Sequence, residues 1–143
     1  MSDTRTGKCL CGAVHFTATL AGDAIQACHC QQCQRWTGGG PLYSVRVDTL
    51  NLKGDESFTQ YHASEWGVRV FCKTCGSTLY WRMRGEKPRY IAPGLLDDQT
   101  GLSVQEEIFT DYRAPWLPAH DGAAQSTEAQ ELEKLRAYQE TKS

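Results

Sequence analysis

All seven cysteines of this 143-residue chain fall into three short runs: Cys9-Leu10-Cys11, Cys28-His29-Cys30-Gln31-Gln32-Cys33 and Cys72-Lys73-Thr74-Cys75. No other feature constrains the fold as strongly. Thiols one or two residues apart reach a common point only where the backbone turns tightly around it, and a thiolate bound to zinc sits about 2.3 Å from the ion. Seven is an odd number, so a complete disulfide framework would leave one thiol over. Clustered thiols in a reducing compartment point instead to metal or redox chemistry, with metal as the leading reading.

Composition sets the frame for those clusters. With 40% hydrophobic and 22% charged residues, the chain has enough apolar content for one globular domain with a modest core. A net charge of -2, from 15 basic and 17 acidic side chains, gives no bulk attraction to nucleic acid or to an anionic membrane. Any anionic ligand must be held by local groups. No apolar run approaches the roughly 20 residues of a membrane span. Met1-Ser2-Asp3-Thr4-Arg5 leads toward Cys9 without the apolar segment of a signal peptide, so a cytoplasmic location is expected.

The pattern between the clusters is mainly that of strands. Val14, Phe16 and Ala18 alternate with more polar residues over 13–20, period-two runs recur at 42–47 and 68–71, and further strands are expected at 58–62, 78–83, 89–92 and 104–109. Turns are expected at Gly22-Asp23, at 51–54 and at 85–88, and a helix-hostile loop over 35–41. Trp116, among prolines, reads as a core or lid packing residue, with contact to a ligand as the lesser alternative. One helix is expected, at the end. Thr127-Glu128-Ala129-Gln130 has capping-box form, and Leu132, Leu135 and Tyr138 recur at helical spacing. That narrow apolar stripe would dock on the domain or on a second subunit, as in a homodimer. The zinc-bearing domain is placed at 5–118, and a linker with the helix at 119–143.

The thiols divide unevenly. Cys9 and Cys11, with Cys72 and Cys75, supply four ligands from two distant segments, which suits a closed tetrahedral structural zinc. Gly76 can take the positive φ that lets backbone N–H groups reach the thiolates. Cys28, Cys30 and Cys33 remain, and would hold a second zinc with one position open, as catalytic sites do. In the alternative pairing, one thiol of the 28–33 run completes the Cys72 knuckle and three are left elsewhere. His29 should point away from its neighbours on an extended backbone, and so supports or packs rather than coordinates. His15, His62 and His120 stand alone and read as structural or surface residues. A thiol arriving at the open position would be deprotonated, ready to attack a small electrophile such as an aldehyde. Arg35, Arg46, Arg69 and Lys73 lie near the clusters in sequence; each reads equally well as a carboxylate partner for a thiol substrate or as an isolated surface charge.

Taken together, Gly7-x-Cys9-x-Cys11-Gly12, Cys28-His29-Cys30-x-x-Cys33 with Gly38, Phe71-Cys72-x-x-Cys75-Gly76-Ser77 and the 92–98 stretch resemble the glutathione-dependent formaldehyde-activating enzyme family, also called centromere-protein-V-like. The resemblance covers roughly residues 5 to 117. It implies a mainly β, Mss4-like fold of several curled antiparallel sheets with zinc knuckles, to which the C-terminal helix is added. It also implies a structural zinc on Cys9, Cys11, Cys72 and Cys75, and a labile catalytic zinc on Cys28, Cys30 and Cys33. The implied activity is that of a carbon-sulfur lyase joining glutathione to formaldehyde as S-hydroxymethylglutathione. Its partner is then a small-molecule thiol such as glutathione, with no nucleic acid and no membrane. The competing reading is a non-catalytic, zinc-stabilised binding module.

Overall fold

The computed structural model describes residues 3–142, and the chain falls into two compact units, one of residues 3–25 and 44–103, the other of 26–43 and 104–142. In chain order the strands are β1 (Asp3–Lys8), β2 (His15–Cys28), β3 (Leu42–Lys53), β4 (Phe58–Tyr61), β5 (Gly67–Cys72), β6 (Thr78–Met83), β7 (Arg89–Ile91), β8 (Ser103–Ile108) and β9 (Ala124–Gln125). The helices are α1 (Gln31–Thr37) and α2 (Glu128–Lys142). The architecture is thus mainly β with a C-terminal helix, as the alternation and the capping box indicate.

In the first unit the bonded order runs β4-β5-β6-β7-β3-β2, with β1 also on β2, and the β1–β2, β3–β7, β4–β5, β5–β6 and β6–β7 ladders are antiparallel. Alternation along β2 turns Phe16, Ala18 and Leu20 inward, where they meet Val45 and Val47 of β3, Ile91 of β7 and Leu96. A second cluster joins Val14, Val68, Val70 and Leu79 to Cys9 and Cys72. Two of the quartet's cysteines are therefore part of the core itself. Each buried aliphatic side chain contributes about 1.5–3 kcal/mol, so the thiols sit where the sheet is held most firmly.

In the second unit the last residues of β2 lie beside β8, and β8 pairs in parallel with β9 in a register that puts Glu107 opposite Gln125. The helix α2 opens with the reciprocal bonds that its sequence specifies: the Gln130 N–H donates to Thr127 Oγ1 at 3.3 Å, and the Thr127 N–H to Gln130 Oε1 at 2.8 Å. Thr127→Ala is expected to lower stability by about 1 kcal/mol, read as a fall in the denaturant midpoint.

Several local expectations are corrected. Gly22-Asp23 does not turn, because β2 runs unbroken through it to Cys28. The 51–54 turn begins later, since β3 continues to Lys53 before Gly54 takes φ 92°. Part of the 35–41 loop is helical: α1 extends to Thr37 and stops at Gly38, whose φ of 86° closes the helix. Trp116 does not pack in the core; it is 68% exposed. Of the stripe on α2, Leu135 is half-buried within this chain, while Leu132 and Tyr138 are 44% and 45% exposed. Polar bonds tie this helix down instead: Tyr112 Oη donates to Glu128, the Glu128 N–H to Asp111, and Lys134 Nζ to Ser126 Oγ. No helix among the described residues is long and apolar enough to cross a membrane.

Candidate metal centres

Two tight turns build the first cluster. In one, the Cys9 N–H donates to the Val14 carbonyl at 2.9 Å and the Gly12 N–H to the Cys9 carbonyl at 3.1 Å. In the other, the Cys72 N–H donates to the Ser77 carbonyl at 2.9 Å and the Gly76 N–H to the Cys72 carbonyl at 2.7 Å. Gly12 and Gly76 both have φ 81°, a region that side-chain-bearing residues rarely occupy. The turns bring the sulfurs of Cys9, Cys11, Cys72 and Cys75 within 4.8 Å of one another. Cys9 Sγ lies 3.7 Å from Cys11 Sγ, and Cys11 Sγ 3.8 Å from Cys72 Sγ. A regular tetrahedron of thiolates about 2.3 Å from zinc has edges of about 3.8 Å, so this quartet has the dimensions of a closed zinc site. Backbone N–H groups of Val14 and Cys75 donate to Cys9 Sγ and Cys72 Sγ, both at 3.4 Å, and Ser77 Oγ lies 3.1 Å from Cys75 Sγ. The Ser77 hydroxyl, then its backbone and that of Cys11, hold the Cys75 thiol down at about 5. Cys11 moves the other way: a backbone bond from Ala13 favours its thiolate, but burial and the neighbouring thiols together push it up to about 11.

The second cluster forms where β2 ends and α1 begins. Cys30 is the N-cap of α1, and its Sγ accepts from the Cys33 N–H at 3.3 Å. One turn of helix therefore brings Cys33 back beside Cys30, and Cys28 joins them, with the three sulfurs within 4.8 Å of each other. Cys33 is buried while Cys28 and Cys30 are half-buried. Hydrogen bonding to Cys30, then to Cys33, pushes the Cys28 thiol far above its ordinary range, with burial adding to the effect. Three sulfurs this close cannot all ionise unless a cation neutralises them. The donor set suits a soft divalent ion such as zinc, and among the described residues this group has three members where the other has four.

His29 stays out of both groups. Its ring is buried, with Nε2 2.7 Å from Glu107 Oε1, as the expectation of a supporting role requires. Its backbone is fixed as well: the N–H donates to the Ile108 carbonyl at 3.0 Å, and the carbonyl accepts from Gln34 Nε2 at 2.7 Å. His15 and His62 are exposed. His120 is not a lone residue, since its Nε2 lies 3.1 Å from Tyr43 Oη and its N–H donates to Glu107 Oε2 at 2.8 Å. Arg35, Arg46 and Lys73 are exposed, whereas Arg69 is buried in β5 and is not a surface charge.

Glu107 is the site residue that sequence reasoning missed. Its side chain is fully buried, and its carboxylate also accepts from Gln125 Nε2 at 2.7 Å. Burial alone would raise Glu107, but the bonds from Gln125, the His120 backbone and His29 outweigh it and hold the group at about 2, against an ordinary 4.5. The folded value is the lower one, so the unfolded chain binds more protons between these values. Stability from this carboxylate is present above pH 4.5 and falls as the pH drops toward 2. Thermal midpoints across that window should decline more steeply for the parent protein than for Glu107→Gln.

Residues 4–112 match the family model described as "Glutathione-dependent formaldehyde-activating enzyme". A Schizosaccharomyces pombe protein named as an uncharacterized lyase is 27% identical over 106 residues, covering 73% of this chain and 77% of the relative. A crystal structure of a Rhodobacter sphaeroides protein, 19% identical, aligns with a TM-score of 0.56 over 85% of this chain and 99% of that one, a likeness of fold.

Proposed function

From the premise that the chain belongs to the glutathione-dependent formaldehyde-activating enzyme family, we propose a zinc-dependent lyase that joins a small thiol of the glutathione type to a small aldehyde such as formaldehyde. The observation that carries this reading is the trio of Cys28, Cys30 and Cys33 in a chain whose other four thiols already make a complete quartet. In this reading Cys9, Cys11, Cys72 and Cys75 hold a structural zinc, and the trio holds a second zinc on which the activity depends. Zinc bound to the trio would supply positive charge that favours the thiolate form of an incoming thiol.

The chemistry then asked of the chain is small. The substrate sulfur bonds to the aldehyde carbon, the carbonyl π bond opens, and the proton released from the thiol ends on the new hydroxyl oxygen. No oxidant or reductant is needed. Cys33, buried in the first turn of α1, and Cys28, at the end of β2, are fixed by regular structure and keep the trio's shape. His29 is held at its ring and at both backbone groups, so the backbone that carries Cys28 and Cys30 is fixed between them. Such preorganisation places one reactant without an entropy cost at each turnover.

The reading is tested by following hydroxymethyl-thiol formation by NMR exchange spectroscopy in mixtures of glutathione and formaldehyde. The zinc-loaded protein is expected to accelerate exchange above the spontaneous rate, in proportion to occupancy of the second ion. A protein that binds two zinc ions but leaves the rate unchanged with glutathione and other small thiols would favour a non-catalytic module.

A further inference from the structure

We propose that Glu107 is a positioning residue for the Cys28, Cys30 and Cys33 trio, acting through His29. This rests on reading the trio as a metal site. His29 stands between two of the three thiols, and its only ring bond to another described side chain is the one from Nε2 to Glu107 Oε1, at 2.7 Å. Its Nδ1 is buried without a hydrogen-bond partner among the described residues, which fits a ring whose Nε2–H is given to the carboxylate. Both side chains are essentially inaccessible, 1% and 0% exposed. A buried donor and acceptor in this situation are costly to separate, so the ring has one favoured place.

Glu107 is itself held from the other side. Its Oε2 accepts from the His120 N–H at 2.8 Å and from Gln125 Nε2 at 2.7 Å, with Arg113 Nη2 at 3.5 Å. His120, Gln125 and Arg113 all lie past residue 112, where the family match ends. The C-terminal segment of this chain is thereby part of the support of the trio. The consequence is mechanical: three sulfurs that repel when ionised are kept together partly because the residue between two of them cannot turn. Groups that orient metal ligands in this way typically account for about 10–100-fold in metal affinity.

Glu107→Gln would replace one acceptor oxygen with an N–H₂ facing existing donors. His29→Asn would withdraw the donor from Glu107, while His29→Gln can bring an amide N–H₂ back to the place of Nε2. The test titrates the full chain with zinc, and separately with cobalt, against a competing chelator, with no thiol substrate present. Occupancy of the quartet and the thermal midpoint serve as fold controls. Glu107→Gln and His29→Asn are expected to weaken the second ion about 10–100-fold each and to alter the trio's sulfur-to-cobalt charge-transfer band. The double variant should be no weaker than the weaker single variant, and His29→Gln should recover most of the affinity.

The proposal is overturned if the single variants bind the second ion as the parent does, if their effects add, or if His29→Gln is as impaired as His29→Asn. Loss of the quartet's ion in both single variants would also overturn it, by making Glu107 a fold residue. If the parent chain takes up one ion only, the reading of the trio fails too. That result is visible before any variant is made.

Discussion

Cys75→Ala is expected to unfold the first unit at ordinary temperatures, with loss of its bound metal and of the cooperative thermal transition. The magnitudes decide this. Apparent zinc binding energies in structural sites are about 10–16 kcal/mol, and they are folding energy when the site does not exist in the unfolded chain. The net stability of a domain is only about 5–15 kcal/mol. Removing Cys75 deletes one corner of the quartet and leaves Cys9 and Cys72, both buried in the core, as thiols around a site with no stable occupant. The readout is circular dichroism on heating, with zinc content measured in parallel. A transition within a few degrees of the parent's would show that the sheet holds without this ligand.

Cys30→Ser is expected to do the opposite, abolishing acceleration of the thiol–aldehyde reaction while the protein stays folded. Cys30 is half-buried, and its Sγ caps α1 by accepting the Cys33 N–H. Serine is a good helix cap and should replace that bond. Cys30→Ala also loses the cap, at about 1 kcal/mol, so its thermal midpoint should fall by about 3–4 °C while its activity is equally absent. The pair of variants separates the cap from the ligand. If both melt as early as Cys75→Ala does, the division between a fold-holding quartet and a working trio is wrong.

The residues that form the two sulfur clusters were legible because their signal is local. Cys9-x-Cys11-Gly12 and Cys72-x-x-Cys75-Gly76 carry both the thiols and the glycine that each turn requires. Strands β5, β6 and β7 follow from alternation of Val68 with Val70 and from the runs at 78–83 and 89–92, the last of which ends one residue earlier, at Ile91. What failed had other causes. The run through Gly22-Asp23 stays extended because it is part of one long strand, against the turn preference of those two residues. The short helix α1 is capped by a cysteine sulfur rather than by one of the usual oxygen donors, so no familiar start signal announces it.

Glu107 was illegible for a different reason. Alternation along β8 leads from Val104 through Glu106 to Ile108 and would leave Glu107 facing outward. Its burial depends instead on donors at His29, His120 and Gln125, brought together by the pairing of β8 with β9 and by the end of β2. Single-residue patterns carry no trace of such a convergence. The charge of Arg69 was equally uninformative, since it lies buried in β5.

The central claim is that four sulfurs are committed and three leave room for a thiol. Zinc-edge X-ray absorption on the fully loaded protein, with and without glutathione, tests it most directly. Two ions on the quartet and the trio give a mean of about 3.5 sulfurs per zinc at about 2.3 Å, rising to about 4 when the thiol binds. A sulfur count that does not change on adding glutathione, with both ions present, would contradict the account.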